Sequence, residues 1–225
     1  MGELGFTRCA TEHALYKRRR GKEELIGGVY VDDLIITGAQ AEDIDGFKRE
    51  MVARFKMSDL GALSYYLGIE VRQGKEHISL GQRAYVENLL EHGGMAECKP
   101  CTTPMEERLK LMKASTTAKV DATLYRSIIG GLRYQVHTRP DIAFAVGYVS
   151  RFMEDPREDH WAVVKRLLRY VKGTVNHGII FPKTREVGCG SRCSAMQTWR
   201  GTSTDNGAPL ACSPSSGQPQ FHGCC

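Results

Sequence analysis

The stretch IGGVYVDDLIITG, Ile26 to Gly38, constrains this chain more than any other. Apolar residues run up to Val31, Asp32 and Asp33 follow side by side, and apolar residues resume at Leu34. Two strand-like segments with so short a polar break predict a β-hairpin with the carboxylates at its tip. Asp is an ordinary turn residue, because its carboxylate bonds the backbone two residues on. A two-residue hairpin turn, however, favours positive φ, and hence Asn-Gly or Asp-Gly rather than Asp-Asp. Adjacent like charges also repel, so the pair makes most sense if cations neutralise it. Oxygen ligands suit Mg²⁺, which binds through one or two carboxylates plus substrate phosphates. Two such ions, roughly 3.5–4 Å apart, clamp the attacking and leaving oxygens of a phosphoryl displacement. A plain turn and a metal-binding tip both remain open from these residues alone.

The flanks predict a mixed fold. HALYKRRRGKEELIGGVY reads as two strands around a polar turn, and its basic run, Lys17 to Arg20 with Lys22, as a solvated tip, with a nuclear-import or phosphate-binding patch as the alternative. Ile44, Phe47, Met51 and Phe55 fall at helical spacing and predict an amphipathic helix packed on a sheet. LSYYLGIEVRQ and HISLGQ, split by GKE, read as a strand hairpin. Val86, Leu89 and Leu90 mark a short helix that Gly93 and Gly94 stop. A long polar connection, ECKPCTTPMEERLKLMKASTTAKVD, precedes three helical patterns. These run through Leu124, Ile128 and Leu132, then from TRPD, with Thr138 as cap and Pro140 in the first turn, then through Trp161, Val164, Leu168 and Val171. GIIFP predicts a closing strand.

Composition narrows the class. The 225 residues allow one large domain or two small ones. A net charge of +5 permits nucleic acid as a partner without requiring it. No apolar run approaches the ~20 residues of a membrane span, and the N-terminus lacks a signal-type apolar core, so a reducing intracellular compartment is expected. Of the eight cysteines, Cys98 and Cys101 form a C-x2-C. Zinc sites need four ligands, and only His77 and His92 are nearby in sequence, so a loop with incidental thiols is the expectation.

YVDDLIITG resembles the Y-x-D-D signature of reverse transcriptases, in the form used by copia-type retrotransposon polyproteins. FKMSDLGALSYYLGIEV, YRSIIGGLRY, HTRPDIAFAVGYVSRFMEDP and HWAVVKRLLRYVKGT resemble the stretches that follow it in those enzymes, in the same order. The resemblance covers residues 4 to 182. It implies that Asp32 and Asp33 are the metal-binding carboxylates of a polymerase palm, with Mg²⁺ or Mn²⁺ as the ion. Tyr30 and Val31 match residues set against the primer end and incoming nucleotide, and Leu67 and Gly68 match the hairpin that grips the primer. The helices from Leu124 to Lys172 match a thumb and connection. Lys165, Arg166, Arg169 and Lys172 lie away from the apolar stripe of the last helix, where they could meet nucleic-acid phosphates. The implied partner is an RNA or DNA primer-template, with no membrane.

The departures shape the expectation as much. The resemblance implies a further carboxylate from an upstream strand, and no aspartate precedes Asp32. Gly27 beside Gly28 loosens the catalytic strand, where the family more often has an aliphatic residue. From Thr184 to Cys225 only Val187, Leu210 and Phe221 come from the Leu/Ile/Val/Phe set. Such a segment cannot offset its chain entropy and is expected to be disordered. It stands where the family's ribonuclease H domain would open; a shift of reading frame near Lys183 would account for it, and a divergent but genuine tail is the alternative. The expected fold is α+β: a partial palm over residues 1–78, a mostly helical thumb and connection region over 79–183, and the tail, 184–225. The expected function is that of part of an RNA-directed DNA polymerase, inactive alone, which an upstream polymerase fragment could complement. The alternative is a non-catalytic nucleic-acid- or protein-binding remnant, or a product with no role.

Overall fold

A computed structural model describes residues 2–20, 23–113, 115–183 and 197–201. The chain opens with β1 (Thr7–Arg8), β2 (Leu15–Arg20), β3 (Glu23–Tyr30) and β4 (Asp33–Gly38), followed by α1 (Ala41–Arg54) and β5 (Met57–Ala62). A short β6 (Tyr65–Tyr66), β7 (Ile69–Gln73) and β8 (His77–Gly81) come next. Then follow α2 (Arg83–His92), α3 (Ala122–Gln135), α4 (Ala143–Val149), α5 (Glu158–Gly173), β9 (Ile179–Pro182) and β10 (Gln197–Gly201). This is an α+β chain with two antiparallel sheets, ordered β1-β2-β3-β4-β10-β5 and β6-β7-β8-β9.

The first sheet forms where the alternation is cleanest. Leu34 and Ile36 of β4 point inward and are buried, and Ile35 and Thr37 on the other face are not. α1 lays Ile44, Phe47 and Met51 on Leu25, Leu34 and Ile36. The basic run does not behave as a solvated tip throughout. Lys17 and Arg19 are exposed, but Arg18 is buried. Its guanidinium donates to Glu50 Oε2 at 2.8 Å and sits 5.0 Å and 5.2 Å from the ring centres of Phe6 and Phe47. A buried cation is tolerated because it is paired and stacked.

The second sheet gathers distant segments. β8 pairs with β9, so the strand read as GIIFP returns across about a hundred residues to the β7–β8 hairpin. The position expected to end the palm, residue 78, lies inside β8. LSYYLGIEVRQ is not one strand: the chain reverses at Leu67 and Gly68, both at positive φ (+48° and +81°), to make β6 and β7.

The helices enclose their own core, built from Val86, Tyr125, Ile128, Leu132, Val164 and Leu168 among others. Asp121 caps α3, its carboxylate accepting from the amides of Thr123 (2.7 Å) and Leu124 (3.3 Å). Thr138 is not a cap. It is buried and its hydroxyl donates to Gln82 Oε1 at 2.6 Å, while Pro140 begins a 3-10 turn, Pro140–Ile142. The polar connection before α3 is pinned to α5 rather than loose: Glu158 N–H donates to Ala118 C=O, and Cys101 N–H to Arg169 C=O.

Most of residues 184–225 lies outside the described residues. Within that segment Gln197–Gly201 forms β10, which runs between β4 and β5 with Trp199 opposite Leu34 and Arg200 opposite Asp33. β4 therefore has a backbone partner on each side, which is the physical reason to place a strand there: an unpaired row of N–H and C=O groups beside a packed core is costly. Among the described residues no helix is long and apolar enough to cross a membrane.

Candidate functional site

β3 and β4 pair in register from Leu25–Gly38 up to Tyr30–Asp33, leaving Val31 and Asp32 as a two-residue loop. The turn does use positive φ, at Val31 (φ +52°), in place of the expected glycine. A β-branched residue in that region is a true outlier and costs of order 1–3 kcal/mol. The sheet beneath holds the tip in this shape, because Leu25, Leu34 and Ile36 anchor both strands in the core. Val31 is 82% exposed, Tyr30 and Asp32 are exposed, and Asp33 is half-buried. The glycines of β3 do not reflect a close approach at position 28: a Cβ there would stand 3.5 Å from Leu15 Cδ2, an ordinary contact.

A second turn of interest follows β6. Tyr66, at the end of β6, has its pKa raised by burial first, then by the Asp33 charge and by Tyr30. Leu67 is 45% exposed. Its carbonyl accepts from the Tyr134 hydroxyl of α3. Tyr66 and Tyr134 escape sequence reasoning, because a tyrosine in a strand or on a helix face reads as core. The paired tyrosines ahead of Leu-Gly were the one available signal for Tyr66.

The basic residues of α5 are drawn into the fold. Arg166 donates to Glu106 (2.9 Å) and Thr103 Oγ1 (2.9 Å), Arg169 to Lys99 C=O (2.8 Å), and Lys172 to Ala96 C=O. These bonds clasp the polar connection onto the helix. Lys165 instead lies 5.9 Å from the Trp161 ring. Cys101 Sγ donates to Arg166 C=O at 3.2 Å, which suits a structural thiol. Among the described residues no group of three His, Cys, Asp or Glu side chains could hold a metal ion. Among the described residues no further His, Cys, Asp or Glu joins Asp32 and Asp33 in such a group.

The comparisons with known proteins fit this geometry. A family model described as reverse transcriptase (RNA-dependent DNA polymerase) matches residues 1–107, the part that carries both turns. Over 180 residues, 80% of the chain, the sequence is 41% identical to the retrovirus-related Pol polyprotein from transposon RE1 of Arabidopsis thaliana. It is 38% identical over 175 residues to the corresponding polyprotein from transposon TNT 1-94 of Nicotiana tabacum. It spans 12% and 13% of those two relatives. An uncharacterized mitochondrial protein of Arabidopsis thaliana is also similar, 38% identical over 78% of this chain and 72% of that protein. No solved structure matches.

Proposed function

Since the chain belongs to the reverse transcriptase family in its copia-type branch, we propose that it forms the part of a retrotransposon polymerase that holds a primer 3′ end over the Asp32–Asp33 hairpin. The observation that supports this reading is a pair of exposed turns at positive φ, Val31 at the acidic hairpin and Leu67–Gly68, within the segment that the reverse transcriptase family model matches. Strained, exposed backbone at turns is a feature of binding sites.

In this reading Asp32 and Asp33 contribute carboxylate oxygens to divalent ions, which in the intact enzyme supply the charge stabilisation of nucleotidyl transfer. Tyr30 and Val31 offer exposed apolar surface to the primer end and the incoming base. The Leu67–Gly68 turn offers backbone groups to the primer strand. The hydrogen bonds of Arg166, Arg169 and Lys172 tie them to the polar connection, whereas Lys165 is exposed, so Lys165 is the candidate there for a phosphate contact. Two carboxylates leave a metal site short of ligands, and Mg²⁺ sheds water reluctantly. The chain alone is therefore expected to bind primer-template without extending it.

Primer extension tests this with the chain alone, with an upstream palm and fingers segment added in trans, and with Asp32→Asn in the combined form. The expected result is extension only in the combined form and its loss on Asp32→Asn. Salt-dependent binding of primer-template by the chain alone accompanies it. Extension by the chain alone that Asp32→Asn abolishes would show that other residues complete the site. No binding at low salt would remove the reading.

A further inference from the structure

We propose that Tyr134 is a positioning residue: from the helical core it fixes the Leu67–Gly68 turn, and so sets where a primer strand lies relative to Asp33. The inference rests on the primer-holding reading for its functional half, and on geometry alone for its structural half.

Three observations converge on the Tyr134 hydroxyl. It donates to the carbonyl of Leu67, a residue held at φ +48°. Such a backbone conformation persists only where its surroundings over-determine it. The next residue, Gly68, is at φ +81°, and a Cβ there would lie 3.0 Å from the same hydroxyl and 3.4 Å from Cε1 of the ring. The turn is thus pressed onto the phenol so closely that one methyl group crowds it.

The third observation is how the ring itself is held. It meets Tyr85 edge-on (centroids 5.1 Å apart, 69° between planes) and His137 likewise (5.6 Å, 61°). Burial first, and then Tyr65, raise the Tyr134 pKa, against a smaller lowering by Gln82. Gln82 is buried, its Oε1 takes the Thr138 hydroxyl, and its Nε2 has no regular hydrogen bond of its own among the described residues. Two separate hydroxyl bonds, Thr138 to Gln82 and Tyr134 to Leu67, thus fix the start of TRPD and the turn. The hydroxyl matters where a bare ring would not suffice, because only it can donate to the Leu67 carbonyl.

The test uses the full chain and Tyr134→Phe, which keeps the ring and deletes the hydroxyl. Amide hydrogen exchange at Gly68 and Ile69 is expected to quicken at least fivefold, with Tm shifted by less than about 2 °C. Affinity for a fluorescent primer-template, read by anisotropy at fixed salt, is expected to fall three- to tenfold. Tyr85→Phe, altered in the neighbouring ring, is expected to leave both readouts unchanged. Gly68→Ala is expected to cost less Tm in the Tyr134→Phe background than in the wild type, because the crowded hydroxyl is gone. Unchanged turn amides in Tyr134→Phe overturn the proposal. Altered amides with unaltered affinity overturn its functional half. If the wild-type chain does not bind primer-template at all, the primer-holding reading falls, and exchange at the turn decides the anchor by itself.

Discussion

The Arg139 guanidinium grips the Asp141 carboxylate with two parallel bonds, Nε to Oδ1 at 2.9 Å and Nη2 to Oδ2 at 2.8 Å. The same guanidinium reaches Thr174 at the end of α5 through its carbonyl (2.9 Å) and hydroxyl (2.7 Å), and Tyr170 OH donates to Asp141 Oδ2 (2.8 Å). The TRPD motif is thus a clamp between the turn before α4 and the last turn of α5. Its two charged ends differ in exposure, 2% for Arg139 and 41% for Asp141.

That clamp predicts a pH dependence. The Arg139 hydrogen bonds, opposed by partial burial and assisted by Tyr170, hold the Asp141 carboxyl below its ordinary value. A depressed folded-state pKa gives stability that is full above the unfolded value, near 3.9, and is lost as pH falls through the folded one. Asp141→Asn is expected to cost about 1–3 kcal/mol at pH 7, less than a fully buried pair because the carboxylate is part-exposed. Urea midpoints at pH 7, 4 and 3 check this. The gap between wild type and Asp141→Asn should narrow on acidification, and a gap constant with pH would contradict the assignment.

Neighbouring glycines on α3 should respond in opposite directions. A Cβ on Gly131 would come within 2.6 Å of Leu89 Cδ1 on α2, whereas one on Gly130 meets nothing within 4 Å. Gly130→Ala gains helix propensity and is expected to stabilise by about 0.5–1 kcal/mol. Gly131→Ala gains the same propensity but overpacks the α2–α3 contact, and is expected to lose about 1–3 kcal/mol net. Chemical denaturation of both variants decides it, and equal signs would refute the packing argument.

These cases mark where the sequence was readable. The Ile44, Phe47 and Met51 stripe of α1 and the hairpin break follow from periodicity and from a polar break between apolar segments. But the loop falls one residue early, at Val31 and Asp32, with Asp33 opening β4, and Phe55 lies exposed just past α1. The same logic missed the turn at Leu67 and Gly68, because Tyr-Tyr-Leu-Gly-Ile has no polar break and reads as a continuous strand. It missed β5 too, since Met57–Ala62 is mostly exposed and lacks alternation. Arg18 read as surface because its burial depends on Glu50, Phe6 and Phe47, which are distant in sequence. The clasp of Arg166, Arg169 and Lys172 on residues 96–106 is likewise tertiary: helical spacing shows which side chains leave the apolar stripe, but not what crosses over them.

β10 predicts a cost for breaking its pairing. Thr198 sits opposite Ile35 of β4, at the point where the register against β5 shifts. Thr198→Pro removes the backbone donor and is expected to lower stability by about 1–3 kcal/mol and to speed hydrogen exchange along β4. Exposing the β4 edge should also promote self-association. Exchange rates in β4 equal to wild type would mean that β10 adds nothing to the sheet.

His160 carries the last prediction, because its chemistry is fixed by geometry alone. It is fully buried, and its ring stacks on Phe152 with centroids 4.1 Å apart and planes 21° from parallel. The Arg157 backbone N–H lies 3.1 Å from Nδ1, and Nε2 lies 3.0 Å from the Met112 carbonyl. A backbone N–H can only donate, so Nδ1 must accept and be unprotonated. A carbonyl can only accept, so Nε2 must carry the proton. The ring is thereby locked as one neutral tautomer bridging the start of α5 and the polar connection. Nitrogen NMR should find the Nε2–H form, and an Nδ1–H form would refute the arrangement. His160→Phe keeps the ring stack but strands two polar groups, and is expected to cost about 1–3 kcal/mol. His160→Ala also leaves a cavity beside Phe152, and is expected to cost about 3–5 kcal/mol. The order of the two variants is the sharper check: if His160→Phe is the worse, overpacking rather than lost hydrogen bonds governs the site.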